Sequence, residues 1–179
     1  MIRGINVGGK TVKMEDLRAL FVALGYSSIS TYIQSGNVCF DAPGNRARDV
    51  AEAIEQRIES DLGLAVTAVL RSPVELSDVV ARNPFLRRKL DLSKLHVTFL
   101  VDSSDPALIE ALHPDVAAPD EFTVDGREVF LHCPGGYGRT QLNNTFWERR
   151  LRVRATTRNW NTVIKLRQLS STSVTTPNQ

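Results

Sequence analysis

The sequence lacks any apolar run near the roughly 18 residues of a membrane span, and its first residues lack the basic, then apolar, then small-residue order of a secretory signal. Both absences argue against a membrane partner, and a cytoplasmic address is the expectation. Only two cysteines are present, Cys39 and Cys133, far apart and without CxxC spacing. That excludes a disulfide framework and a cysteine-pair zinc site, and a reducing compartment fits. The three histidines, His96, His113 and His132, fall at no ligand-type spacing, so no metal and no other cofactor is expected. There is no GxSxG elbow, and the candidate hydroxyls Ser35 and Thr140 have no evident histidine partner. His132 and Cys133 are adjacent on a predicted strand, where neighbours point to opposite faces, so they form no thiol–imidazole pair there.

What is present is ordinary globular material: 179 residues, 42% hydrophobic, enough for one domain or two small ones. The net charge of +2 is too small to imply polyanion binding, but it is unevenly placed. From Arg139 to Arg167 eight basic residues face one acid, Glu148, giving that segment +7 and the remainder −5. Such asymmetry marks either an anion or nucleic-acid surface, or a solvated helix face whose arginines pair with acids of the other half.

Hydrophobic periodicity divides the chain. Met14, Leu17, Leu20, Phe21 and Leu24 recur at helical spacing before Gly25, predicting a helix over 13–25. STYIQ and NVCFD around Ser35-Gly36 predict a hairpin. Val50, Ile54, Ile58 and Leu62 line a second helix from about residue 45 to Gly63, and AVTAVL, 65–70, reads as a strand. Ser72-Pro73-Val74-Glu75 announces a connecting helix that stops before Pro84. Then HVTFLVD is a strand, PALIEAL a helix, and EFTV and EVFLH are two strands about Asp125-Gly126. A helix from about Thr140 to Leu151, a strand VRATT, a helix from about Asn159 to Leu169 and a polar, frayed tail complete the order.

This is an α+β pattern, the β-α-β-β-α-β order twice. It predicts two ferredoxin-like units in tandem, with a connecting helix and a C-terminal helix. The expected boundaries are 1–71 for the first unit, 72–94 for the connector and linker, and 95–179 for the second unit with its tail. The first strand of the first unit is truncated to a stub, MIRGI, although the topology makes it central. Either the true start lies upstream of Met1, which is the preferred expectation, or the fold tolerates a short strand.

The motifs RGINVGG, TYIQSGNVCF, RNPF, GYGRTQLNNTFWERRL and ATTRNWNTVIKL, in order from Arg3 to about Leu169, resemble a bacterial family known as domain of unknown function 1697. The resemblance implies an α+β fold of two related halves and no established activity. The family usually carries more apolar residues ahead of RGIN, which agrees with a start upstream.

Gly4, Gly9, Lys10 and Thr11 match the P-loop spacing. A P-loop needs a buried strand feeding it and a helix starting at its lysine. Here the strand is a stub, and Glu15 and Asp16 in the first turn of the next helix oppose a phosphate, so nucleotide hydrolysis is not expected. Topology suggests two other clusters. The end of the first strand and the turn of the first hairpin share one end of a sheet, gathering Arg3, Asn6, Ser35 and Asn37 into either a polar-ligand pocket or a set of turn-satisfying amides. In the second unit, Arg139 at one predicted helix start lies near Arg158, Asn159 and Trp160 at another. Two arginines at helix N-termini repel unless an anion or an acid lies between them. Either a ligand fills the gap, or an acid of the first half does and Trp160 is a core anchor. The preferred reading is binding of a small phosphorylated or carboxylated ligand. The alternatives are single-stranded nucleic acid, for which Phe40, Phe99 and Phe130 read as core rather than as stacking residues, and an interaction scaffold without a ligand.

Overall fold

The structure is a computed structural model that describes residues 1–6, 12–33 and 35–172. The residues that complete the P-loop spacing, Gly9, Lys10 and Thr11, and the tail expected to fray beyond residue 172 lie outside the described residues. The elements run β1 (Ile2–Arg3), α1 (Met14–Ala23), β2 (Ser27–Tyr32), β3 (Asn37–Asp41), α2 (Ala47–Leu62), β4 (Thr67–Ala68), α3 (Pro73–Arg82), β5 (Leu95–Leu100), α4 (Pro106–Glu110), β6 (Glu121–Asp125), β7 (Glu128–His132), α5 (Asn144–Leu151), β8 (Ala155–Asn159) and α6 (Trp160–Thr172). Helices and strands are mixed in an α+β fold, and the β-α-β-β-α-β order occurs twice. No helix among the described residues is long and apolar enough to cross a membrane. The chain divides into one compact unit of Met1–Pro73 with Leu166–Gln179 and another of Val74–Lys165.

In the first unit α1 buries Leu17, Leu20 and Phe21, and α2 buries Val50, Ile54 and Ile58, the residues that helical spacing puts on one face. They form a core with Ile2, Ile5, Val12, Tyr26 and Val38. Gly63, in the left-handed region at φ 63°, ends α2. Instead of one four-stranded sheet, the described residues form two antiparallel pairs, β1 with β4 and β2 with β3. β1 is short, with two residues of ladder to β4, and the backbone bond of Ile2 N–H to Gly36 O at 2.8 Å ties it to the β2–β3 hairpin. β4 spans Thr67–Ala68, shorter than the AVTAVL run suggests, and bonds between Val69 and Met1 continue its pairing, with Val69 N donating to Met1 O at 2.8 Å.

The second unit has a complete antiparallel sheet in the order β6-β7-β5-β8. One face carries Leu100, Val129, Leu131, Cys133 and Ala155, packed against Trp147 and Leu151 of α5. The opposite face carries Val97, Phe99 and Phe130, all fully buried, with Arg82 of α3 over the Phe130 ring at 6.0 Å. α3 is fastened to the β6–β7 hairpin by ion pairs of Arg82 with Asp125 and Glu128, and of Arg127 with Glu75. A 3₁₀ turn, Pro84–Arg88, continues it, capped by Asn83, whose Oδ1 accepts from Phe85 N at 3.0 Å.

Candidate functional site

In the first unit, the topology does bring the end of β1 to the β2–β3 turn. Gly36 sits at φ 74°, and a Cβ there would lie 2.8 Å from the Ile2 carbonyl oxygen, so only glycine lets the two backbones meet. Asn37, fully buried, donates from Nδ2 to Ser35 Oγ at 2.8 Å and faces Tyr32 O at 3.4 Å. Asn6 Oδ1 accepts from Val12 N at 2.6 Å, tying the two described ends of the glycine-rich loop together. Arg3 ends β1 opposite Thr67. Asn6, Ser35 and Asn37 thus hold turns in place, one of the two roles open to them from sequence. Ile33 beside this turn is half-exposed at φ 48°, a conformation that a β-branched residue adopts only when its surroundings impose it.

In the second unit the polar groups collect at the sheet end where β5 starts and β8 finishes. Arg158 lies one residue from the end of β8, opposite Val97. Its guanidinium donates to Thr156 Oγ1 at 2.8 Å and to the Thr157 carbonyl at 2.9 Å. Burial holds its pKa down at about 10, offset in part by Tyr137. Asn159 is exposed and caps α6, its Oδ1 accepting from Thr162 N at 2.8 Å. Trp160 is buried as the first residue of α6. Arg139 is exposed and ends a 3₁₀ turn, Tyr137–Arg139, while α5 begins only at Asn144 behind the cap Asn143. The expectation of arginines at two facing helix N-termini is therefore corrected: Arg139 precedes α5 by five residues, and Arg158 is on a strand. The physical reason is local. Thr140 Oγ1 accepts from Leu142 N at 3.0 Å and Asn143 Oδ1 from Phe146 N at 3.0 Å, two side-chain turns in series that delay the helix.

Periodicity passed over the residues that line this end. His96, facing Asn159 in register, stacks on Tyr137 with ring centroids 4.8 Å apart and an interplanar angle of 24°. Burial lowers its pKa, so the ring is neutral near pH 7. Thr157 donates to Asn144 Oδ1 at 2.8 Å, which leaves Thr98 Oγ1 to donate to Thr157 Oγ1 at 2.7 Å. The signal for Thr98 and Thr157 was available: strand alternation puts polar residues on a face that is otherwise apolar, which requires them to pair.

A second polar cluster lies on the sheet face that carries Phe130. Arg88 bonds both oxygens of Glu121, at 2.5 and 3.0 Å, and Glu121 Oε1 lies 2.9 Å from His132 Nδ1. Arg88 first, then His132, holds the Glu121 carboxyl below its ordinary range. Cys133 packs into the core on the other face, where burial pushes its thiol up to about 11, so it is no nucleophile at neutral pH. No group of three acids, histidines or cysteines placed to hold a metal occurs among the described residues.

An α+β protein of two compact units, with a polar cluster at one end of its complete antiparallel sheet, is the class that fold and site define. The chain belongs to the family described as protein of unknown function DUF1697, whose model matches residues 1–130. The motifs at GYGRTQLNNTFWERRL and ATTRNWNTVIKL lie beyond that match. The chain is similar in fold to the conserved bacterial protein SP0830 from Streptococcus pneumoniae, with a TM-score of 0.70 and 22% identity over 95% of this chain and 96% of that one. No curated protein matches it.

Proposed function

We propose that the chain is built from two ferredoxin-like units and that the second binds a small anionic ligand, phosphorylated or carboxylated, at the sheet end formed by Arg158, Arg139, Asn159 and Tyr137. The 4-1-3-2 arrangement of the strands of the second unit supports the first part. One observation carries the second: the half-buried Arg158 guanidinium, which donates to the Thr156 hydroxyl and the Thr157 carbonyl, sits where desolvation disfavours its charge. A partly desolvated cation gains more from an approaching anion than a fully exposed one does. Arg139, two residues after Tyr137, and Asn159, next to Arg158 in the chain, are both exposed and open to a ligand.

Thermal unfolding in the presence of sugar phosphates, nucleotides and carboxylates tests this. A ligand at 100 times its Kd stabilises the native state by about 2.7 kcal/mol, which a melting curve resolves. The expected result is a rise in Tm for a small anion, reduced in Arg139→Ala and abolished in Arg158→Lys, a change that keeps charge but loses the guanidinium fork. No rise with any anion, or an equal rise in both variants, would remove the site.

A further inference from the structure

We propose that the exposed face of α5 around Phe146, Arg149 and Arg150 docks single-stranded nucleic acid, a base stacking on the Phe146–Arg150 pair and the adjoining phosphates meeting Arg149 and Arg152. A groove of about 370 Å³ lies there, lined by Phe146, Arg149 and Arg150. Helical spacing puts the three side chains on one side of α5, at i, i+3 and i+4. The Arg150 guanidinium lies 5.6 Å from the centroid of the Phe146 ring, and Trp147 packs edge-on against that ring with centroids 4.9 Å apart. Phe146 is thus propped from its own helix while it borders the groove. An aromatic ring paired with a guanidinium plane is a sequence-tolerant platform for a nucleobase.

Arg149, Arg150 and Arg152 are exposed, and no ion pair to any of the three occurs among the described residues. Glu148, the single acid of α5, is turned to structure: its Oε1 accepts from Ala155 N at 2.9 Å. Cations in the last turn of a helix offset its dipole, which accounts for Arg149 and Arg150 but not for a ring beside a groove. Phe99 and Phe130, the residues through which an RNA-recognition sheet would stack bases, are fully buried, so the sheet of this unit is closed to that use. The site is separate from the one proposed above, which rests on Arg158.

The test is fluorescence anisotropy of a labelled short oligothymidylate and oligouridylate titrated with the full chain across a salt series. Two or three phosphate contacts to a single strand give a slope of log K against log salt of about −1.4 to −2.1. Arg149→Glu with Arg150→Glu is expected to flatten that slope and weaken binding at low salt more than tenfold. Phe146→Leu, which keeps apolar volume beside Trp147, is expected to weaken binding about fivefold to tenfold with the slope unchanged. Arg48→Glu with Arg57→Glu on α2 changes the net charge equally and is expected to leave most of the affinity. Absence of binding by the parent at low salt, equal loss in the α2 double variant, or displacement by polyglutamate at the same charge concentration as oligonucleotide would each overturn the proposal, the last in favour of an acidic peptide.

Discussion

Single residues set the geometry of the first unit, and Gly36 shows how. Of the glycines with positive φ, Gly44 has nothing within 4 Å of where a Cβ would stand, whereas Gly36 faces the Ile2 backbone at 2.8 Å. Gly44→Ala is therefore expected to cost about 1 kcal/mol, the conformational term alone. Gly36→Ala adds a clash that no side-chain rotation relieves, and about 2 to 3 kcal/mol is expected. Urea titration of both variants distinguishes the cases, and equal losses would mean that the close approach of β1 to the hairpin matters little. The same residue marks a limit of sequence reading. The Ser35-Gly36 turn was legible as a turn, and topology placed it beside the end of β1. That Asn6 and Asn37 hold backbone and hydroxyl partners was not legible, because either role uses an amide in a glycine-rich turn.

At the scale of elements, helices with strong apolar periodicity were read closely and those begun by side-chain turns were not. The spacing predicted α1 over 13–25 and α2 from about 45, and the structure gives Met14–Ala23 and Ala47–Leu62. α5 was placed from Thr140 but starts at Asn144, since TQLNN offers two competing caps and only packing chooses between them: Leu142 is fully buried and takes the Trp147 Nε1 hydrogen bond at 3.0 Å. That choice moved Arg139 off the helix start and removed the two-terminus argument for a ligand, leaving the desolvation of Arg158, which depends on tertiary burial and has no local signature. Asn143 is the cap that fixes α5. Asn143→Ala is expected to lower stability by about 1 kcal/mol, and Asn143→Asp to retain it, in chemical denaturation. An unchanged midpoint for Asn143→Ala would mean that α5 is held by Trp147 and Leu151 alone.

For the whole molecule, the two units share an element order but differ in how firmly each holds its strands. In the second, all residues of β5 and β7 are buried, and β5 is paired along its length on both sides. In the first, no residue of β2 is buried, and β1 and β4 share two residues of ladder. Amides whose opening requires a buried, doubly paired strand to separate exchange only through global or near-global unfolding, while a short, partly exposed ladder opens locally. Hydrogen exchange followed by mass spectrometry should therefore find peptides covering β5 and β7 protected to the global limit and those covering β2 exchanging orders of magnitude sooner. Gly36→Ala should accelerate exchange in the first unit's hairpin and leave β5 and β7 unchanged while the native state remains the main species. Equal protection of β2 and β5 would mean that the β2–β3 pair and the β5–β7–β8 strands open in one cooperative step, and that the short first strand costs the fold less than its missing ladder implies.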